Sequence, residues 1–442
     1  MSVLIRGGMV LDTVHGRVER RDVLTHGERI AALYSPGEDV GIPEGTVQIE
    51  ATGHLVIPGL VDMHVHLREP GQEHKETIAS GALAAAAGGF TSVACMPNTN
   101  PVNDCVEITE LIKNAGEKAG FSRIYPIASV SVGQAGESLT DFAALKAAGA
   151  VGVSDDGFPV VDSCLMRKAF IEASQKGLLL VSHSEDPWLS RGGVMNEGEV
   201  AESLGLPGIP SAAEEIMVFR EIMLAKLTGC PVHIAHVSTG GSVELIRRAK
   251  QEGIPVTAET APHYFTLDHT AVMTYDTNAK MNPPLRSGYD VAAVKRGLSE
   301  GVLDVIATDH APHAPSEKAA GLRKAPFGII GLQTALPLTL TLVRDGLLSL
   351  AEALGKLSIA PASILNVPGG VLSEGGVADI GVLDLDEEYI FDKTMVLSVS
   401  CNSPFIGMKL TGRAVAAVVG GRLVWQRTGR GAEARTPPGT VL

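Results

Sequence analysis

Leu55-Val56-Ile57-Pro58-Gly59-Leu60-Val61-Asp62-Met63-His64-Val65-His66 is the stretch that decides the fold of this 442-residue chain. It is an apolar strand-like run ending on two imidazoles one residue apart. Side chains alternate faces along a strand, so His64 and His66 point the same way and form half of a metal site. Alone, the pair reads equally well as two ordinary histidines among the chain's 13. Its weight comes from residues further along the chain.

Downstream, apolar strands alternate with Ala-rich helical stretches, the signature of βα units around a parallel sheet. The strand candidates are Val56–His66, Phe90–Met96, Arg123–Val130, Ala150–Ser154, Leu178–His183, Pro231–His236, Ile254–Glu259 and Leu303–Asp309. Eight is the number that closes a (β/α)8 barrel. Helix signals lie between them. Asp141 to Gly149 carries helix formers ending in Gly, and Ser211-Ala212-Ala213-Glu214 reads as a capping box before the sixth strand. Both ends of the chain instead show short strands broken by Gly, such as Val3-Leu4-Ile5 and Val415 to Val424. The expected architecture is α/β: a TIM-type barrel over 56–369 and a small β-sandwich built from 1–55 plus 370–442.

Composition narrows the function. The net charge is −14 with no long basic run, which argues against nucleic acid or an anionic membrane as partner. No segment approaches the ~20 apolar residues of a spanning helix, and the first residues lack the pattern of a signal peptide. Five cysteines without CxxC spacing suggest a reduced, cytoplasmic protein with buried thiols.

In such barrels chemistry sits at the C-terminal strand ends. Strand one ends in His64 and His66, strand five in His183, strand six in His236 and strand eight in Asp309; strand four runs into Asp155-Asp156-Gly157. Four imidazoles and two carboxylates suit zinc, and they exceed the three ligands of one catalytic ion, so a two-metal site is expected. Along Ala150 to Ser154 the valines share one face, leaving Gly152, Ser154 and Asp156 on the other. This favours Asp156 over Asp155, which then supports it or turns the chain. His233 and His310 fall on the wrong strand face and read as structural. His15, His26, His54, His74, His263 and His269 have no comparable placement.

Several longer motifs surround these residues. Pro58 to Gly71, Met96-Pro97-Asn98-Thr99, Lys280 to Arg286, Ala307 to His313 and Ala325-Pro326-Phe327-Gly328 together resemble the class I dihydroorotases of the amidohydrolase superfamily. The resemblance spans about residues 1–425. It implies His64, His66 and Asp309 at one Zn2+, His183 and His236 at the other, and Asp156 with a hydroxide bridging the two ions in each subunit. It further implies substrate contacts from His66, Arg68, Asn98, Asn282, His313 and the main chain at Phe327 and Gly328. Hydantoinases, allantoinases and many dihydroorotases carry a carboxylated lysine at the bridge. Ser154-Asp155-Asp156-Gly157 offers none, as in the dihydroorotase group common in bacteria.

The implied reaction interconverts L-dihydroorotate and N-carbamoyl-L-aspartate in pyrimidine synthesis. In it Asp309 is general base then acid, and Arg68, on the same alternating face as His66, grips the substrate carboxylate. The stretch 310–328 is too long for an ordinary βα loop and reads as a lid or as an ordered excursion. A homodimer and an association with a transcarbamoylase are the partners the resemblance implies. The competing readings are a sister cyclic-amide hydrolase and a catalytically inactive scaffold.

Overall fold

The structure is a computed structural model and describes residues 1–38, 40–428 and 431–434. The last part of the expected β domain, 435–442, lies outside the described residues. Eight parallel strands form one sheet in chain order: β1 (Leu60–Val65), β2 (Phe90–Cys95), β3 (Arg123–Ala128), β4 (Gly152–Val153), β5 (Leu179–Ser182), β6 (Val232–Ile234), β7 (Val256–Thr260) and β8 (Val305–Ile306). Between the two ends, Val65 bridges His310 in parallel, and His66 N–H donates to His310 O at 2.8 Å. Those contacts bring the sheet close to a closed barrel. One apolar cluster gathers Val61, Met63, Ala94, Ile127, Val181, Ala235 and Val305 from around the ring. The larger core lies between strands and helices.

Helices between the strands start and stop where local chemistry says. Phe142–Ala148 is capped by Asp141, whose side chain accepts from Ala144 N–H, and ends at left-handed Gly149. The helix Ala212–Thr228 begins after Ser211 as expected, but no capping box forms there. Glu214 instead accepts from the N–H groups of Ser238 and Thr239, holding the turn after β6. The outer face of this helix is unusual: Ile216, Phe219, Met223 and Leu227 are all about half exposed.

The expected first strand is in fact two. Leu55–Pro58 pairs with Met9–Val10 in parallel and with Ile380–Leu383 antiparallel, whereas β1 begins at Leu60. Gly59 is the pivot, because a Cβ there would lie 2.0 Å from the Thr91 hydroxyl on β2. Strands from both chain ends form a single continuous nine-stranded sheet rather than two separate ones. It curls so that Val3, Ile5, Val23, Ile49, Ile380, Ala416 and Val418 share one core, giving a sandwich-like body. Within 370–442, the segment around Ser398–Asn402 returns to the barrel rim, where Asn402 contacts His313 and Gly328.

The thiols depart from expectation. All five cysteines are free, but only Cys95 is buried and Cys164 is exposed. No helix among the described residues is long and apolar enough to cross a membrane.

Candidate metal centre

The six expected ligands meet at one end of the barrel, but mostly beyond the strands rather than on them. Only His64 is a strand residue. His66 and His183 directly follow β1 and β5, His236 is two residues past β6, and Asp156 and Asp309 are three past β4 and β8. His236 and Asp309 have positive φ (36° and 46°), as does Arg68 (62°). Alternation along a strand therefore does not aim them. Left-handed turns do, at about 1–3 kcal/mol of strand-end strain each. Arg68 reaches the site by such a turn, not by the alternating face that the sequence suggested.

Two compact groups of ligand atoms result, each within 4.8 Å: His64, His66 and Asp309; and His64, Asp156 and His236. His183 joins them, with Nδ1 2.8 Å from His236 Nε2 and 3.3 Å from Asp156 Oδ1. Asp156 Oδ1 is also 3.5 Å from His64 Nε2 and from His236 Nε2. Asp155 turns away and accepts from the N–H groups of Val130 and Ser131. Burial opposes charge on Asp156 and Asp309, yet His64 and its neighbours hold both carboxyls well below the usual range. Burial likewise opposes charge on His64, and Asp309, Asp156 and Glu259 more than offset it.

The donor set fits a metal on a specific observation. His64 Nε2 and Asp156 Oδ1 are fully buried and have no hydrogen-bond partner, an arrangement that is costly unless a cation joins them. The ring orientations agree. His64 Nδ1–H donates to Glu259 Oε1 (2.7 Å) and His66 Nδ1–H to Asn98 Oδ1 (2.7 Å), which leaves both Nε2 lone pairs facing the cluster.

A cavity of about 340 Å³ opens over this cluster, lined by His66, Arg68, Asn98, Asn282, His313 and Phe327 among others. A roomier one of about 520 Å³, lined by Lys113, Arg123 and Arg422, has no such convergence of imidazoles. In the site cavity, Arg68 Nε donates to Pro312 O (3.2 Å) and one terminal nitrogen to His313 Nε2 (3.3 Å). Arginine only donates, so His313 Nε2 is unprotonated and the ring proton sits on Nδ1. Burial, then Arg68, pushes the His313 pKa down to about 2. Gly328 lies so close to Ala311 and His313 that a Cβ would meet Ala311 O at 2.4 Å. Asn282 donates to Glu185 Oε2 (3.2 Å), which also approaches His183 Nε2 at 3.3 Å.

Sequence reasoning missed four supporting residues. Glu259, at the end of β7, holds His64 and lies 3.3 Å from His233. Glu185 backs His183. Asn402 ties His313 N–H to the carbonyls of Ala311 and Gly328. His263 is buried beside the cluster, its Nε2 without a partner, and burial lowers its pKa to about 4. Only Glu259 carried a signal, a lone carboxylate ending an apolar strand.

Comparison with known proteins now defines the class. The fold matches that of the L-hydantoinase (dihydropyrimidinase) from Arthrobacter aurescens with a TM-score of 0.83, at 26% identity and covering 96% of this chain and 95% of that one. A dihydropyrimidinase from Brevibacillus agri matches in fold with the same TM-score, at 23% identity and the same coverage. The chain is therefore an amidohydrolase-type barrel hydrolase acting on cyclic amides. The Dihydro-orotase-like family matches over residues 53–242. A dihydroorotase from Geobacter sp. (strain M21) is 51% identical over 96% of this chain and 100% of its own length. One from Syntrophus aciditrophicus is 49% identical with the same coverage. The chain belongs to the dihydroorotase family.

Proposed function

We propose that this protein interconverts L-dihydroorotate and N-carbamoyl-L-aspartate at a two-zinc centre. The observation that carries the reading is one cavity lined both by the ligand cluster (His66, Asp156 with its orphaned Oδ1, His183, His236 and Asp309) and by Arg68. His64, His66 and Asp309 would hold one ion, and His183 and His236 the other, with Asp156 between them. Zinc bound there supplies a polarised ring carbonyl and water acidified to a pKa of about 7.

The chain's own groups do the rest. Asp309, kept ionised at neutral pH, has Oδ1 on the ligand-cluster side, 3.1 Å from the His66 Nε2 lone pair. That leaves Oδ2 to take a proton and return it to the departing ring nitrogen. With Nε and one terminal nitrogen of Arg68 already used on the loop, its outer fork is left to grip a substrate carboxylate. Asn98 doubles as substrate donor and brace for His66, and Asn282 Oδ1 remains buried and unpartnered.

A sister hydrolase using a carboxylated lysine is disfavoured because Lys146 and Lys168 are exposed, Lys146 donating to Gly177 O. An inactive scaffold has no need to keep six ligands. Purified protein loaded with zinc should turn over dihydroorotate and not allantoin or a substituted hydantoin offered in parallel. Preference for either rival ring would overturn the reading.

For organisation, 1–55 with the described residues from 370 onward form the β domain and 56–369 the catalytic barrel, save that Val56 to Pro58 pair in the β sheet, in a cytoplasmic enzyme. Two copies pair through the helix Ala212–Thr228. A stripe of large exposed apolar side chains is normally covered, and Ile216, Phe219, Met223 and Leu227 recur at a spacing that packs against another helix.

A further inference from the structure

Lys280 and Lys318 are both almost fully buried, and among the described residues neither is in an ion pair. A buried ammonium without a carboxylate is expensive unless all its donors are used. Here they are. Lys318 Nζ donates to three carbonyls, those of Gly328 (2.9 Å), Pro326 (3.0 Å) and Lys280 (3.4 Å). Lys280 Nζ donates to Leu322 O and Ala325 O, each at 2.6 Å, and sits 4.4 Å over the ring of Phe327. Gly328 N–H returns a bond to Lys280 O at 2.9 Å. Five carbonyls, four of the excursion and that of Lys280, are thus drawn onto two lysine Nζ groups.

This has a directional consequence. The Pro326–Phe327 peptide is trans, so its carbonyl and N–H point opposite ways. With Pro326 O pulled to Lys318, the Phe327 N–H is turned away from the lysines. It donates to no acceptor among the described residues, and Pro326 and Phe327 both line the cavity over the metal cluster.

We propose that Lys280 and Lys318 are positioning residues, a paired clamp that presents the Phe327 N–H to the cavity as a donor for a substrate oxygen. The proposal rests on the dihydroorotate reading above. It goes beyond it by naming the two side chains that aim the Phe327 main-chain contact which the family resemblance implies, neither of which touches substrate. The excursion 310–328 is then a wall built to a fixed shape, its order supplied from behind.

The test uses the full-length, zinc-loaded protein and the variants Lys280→Met and Lys318→Met, with exposed Lys324→Met as control. KM for dihydroorotate should rise roughly tenfold or more in the first two, the loss of about one hydrogen bond. Turnover number should stay within roughly threefold and zinc content should not change. Amide exchange should quicken over 318–328 and stay slow in β1–β8. Lys324→Met should match the wild type throughout. An unmoved KM in folded variants overturns the clamp, as does faster exchange throughout the barrel, which marks a merely structural role. If neither variant folds, the wild type decides: the clamp predicts a slowly exchanging Gly328 amide, and rapid exchange there overturns it. A wild type inert toward dihydroorotate sinks the substrate reading instead, and the exchange data still judge the clamp.

Discussion

Glu259 Oε1 and His64 Nδ1 lie 2.7 Å apart, both fully buried, at the centre of the barrel. Burial works against the Glu259 charge, but His64 and His233 bring its pKa down to about 2. The carboxylate therefore fixes the His64 ring with Nε2 toward the metal cluster. Glu259→Gln should lower zinc affinity roughly 10–100-fold, measured by competition with a chelator, with activity recovering in excess zinc. Unchanged affinity would remove the orienting role.

Asp309→Asn keeps the shape of the side chain and loses its basic oxygen. Turnover should fall roughly 10²–10⁴-fold with zinc largely retained. Near-normal turnover would sink the acid–base assignment.

Arg68 offers its outer fork to a carboxylate. Arg68→Ala should raise KM for dihydroorotate roughly 10–100-fold, the worth of a charge-assisted hydrogen bond, while metal analysis stays at wild-type values. If zinc loss dominates, Arg68 is holding the 312–313 loop and little else.

Burial and the neighbouring Lys280 lower the Lys318 pKa to about 7, with Asp276 and Glu317 acting the other way. An unfolded lysine titrates near 10.5, so between about pH 7 and 10 the unfolded state binds more protons and folding stability gained from this residue rises with pH. Lys318→Met removes that rise. From pH 7 to 9 the wild type should gain on the variant by up to about 2 kcal/mol, read from denaturant midpoints at both pH values. A pH-independent gap would mean that the buried lysine titrates normally.

Phe219 lies on the apolar stripe and far in sequence from every proposed ligand. Phe219→Glu should convert a dimer to a monomer in sedimentation velocity while zinc content is kept. A wild-type monomer would refute pairing through this helix, and adding a transcarbamoylase to the same run tests the second expected partner.

The barrel was legible because period and punctuation survive in one dimension: apolar runs, Ala-rich helices and Gly stops recur at each βα unit. The exact ends of strands were not, since β4 and β8 hold only two residues each and the ladder stops where the chain begins to bend. That is why parity reasoning grouped Arg68 with His66 for the wrong reason: the chain leaves the strand at His66 and a positive φ, not alternation, brings Arg68 back. Asp156 could be preferred over Asp155 from the valine pattern of β4, and the structure sends Asp155 to Val130 and Ser131. Glu185, Asn402 and the two lysines were invisible. None sits in a periodic pattern, and their partners range from two residues away (His183 for Glu185) to about ninety (His313 for Asn402). Glu214 shows the opposite failure, where a local capping signal lost to the N–H groups of a turn after β6.

The strand Leu55–Pro58 has a neighbour on one side from residues 9–10 and on the other from residues 380–383. On a ribosome adding about 5–20 residues per second, the second neighbour arrives roughly 15–65 s after the strand itself is made. All eight barrel strands emerge in that interval. Any barrel that takes shape during synthesis does so while the half-sheet still shows an open edge, a template for pairing with other chains. Aggregation during synthesis, and the demand for chaperones, should then depend on how quickly the final quarter of the chain is made.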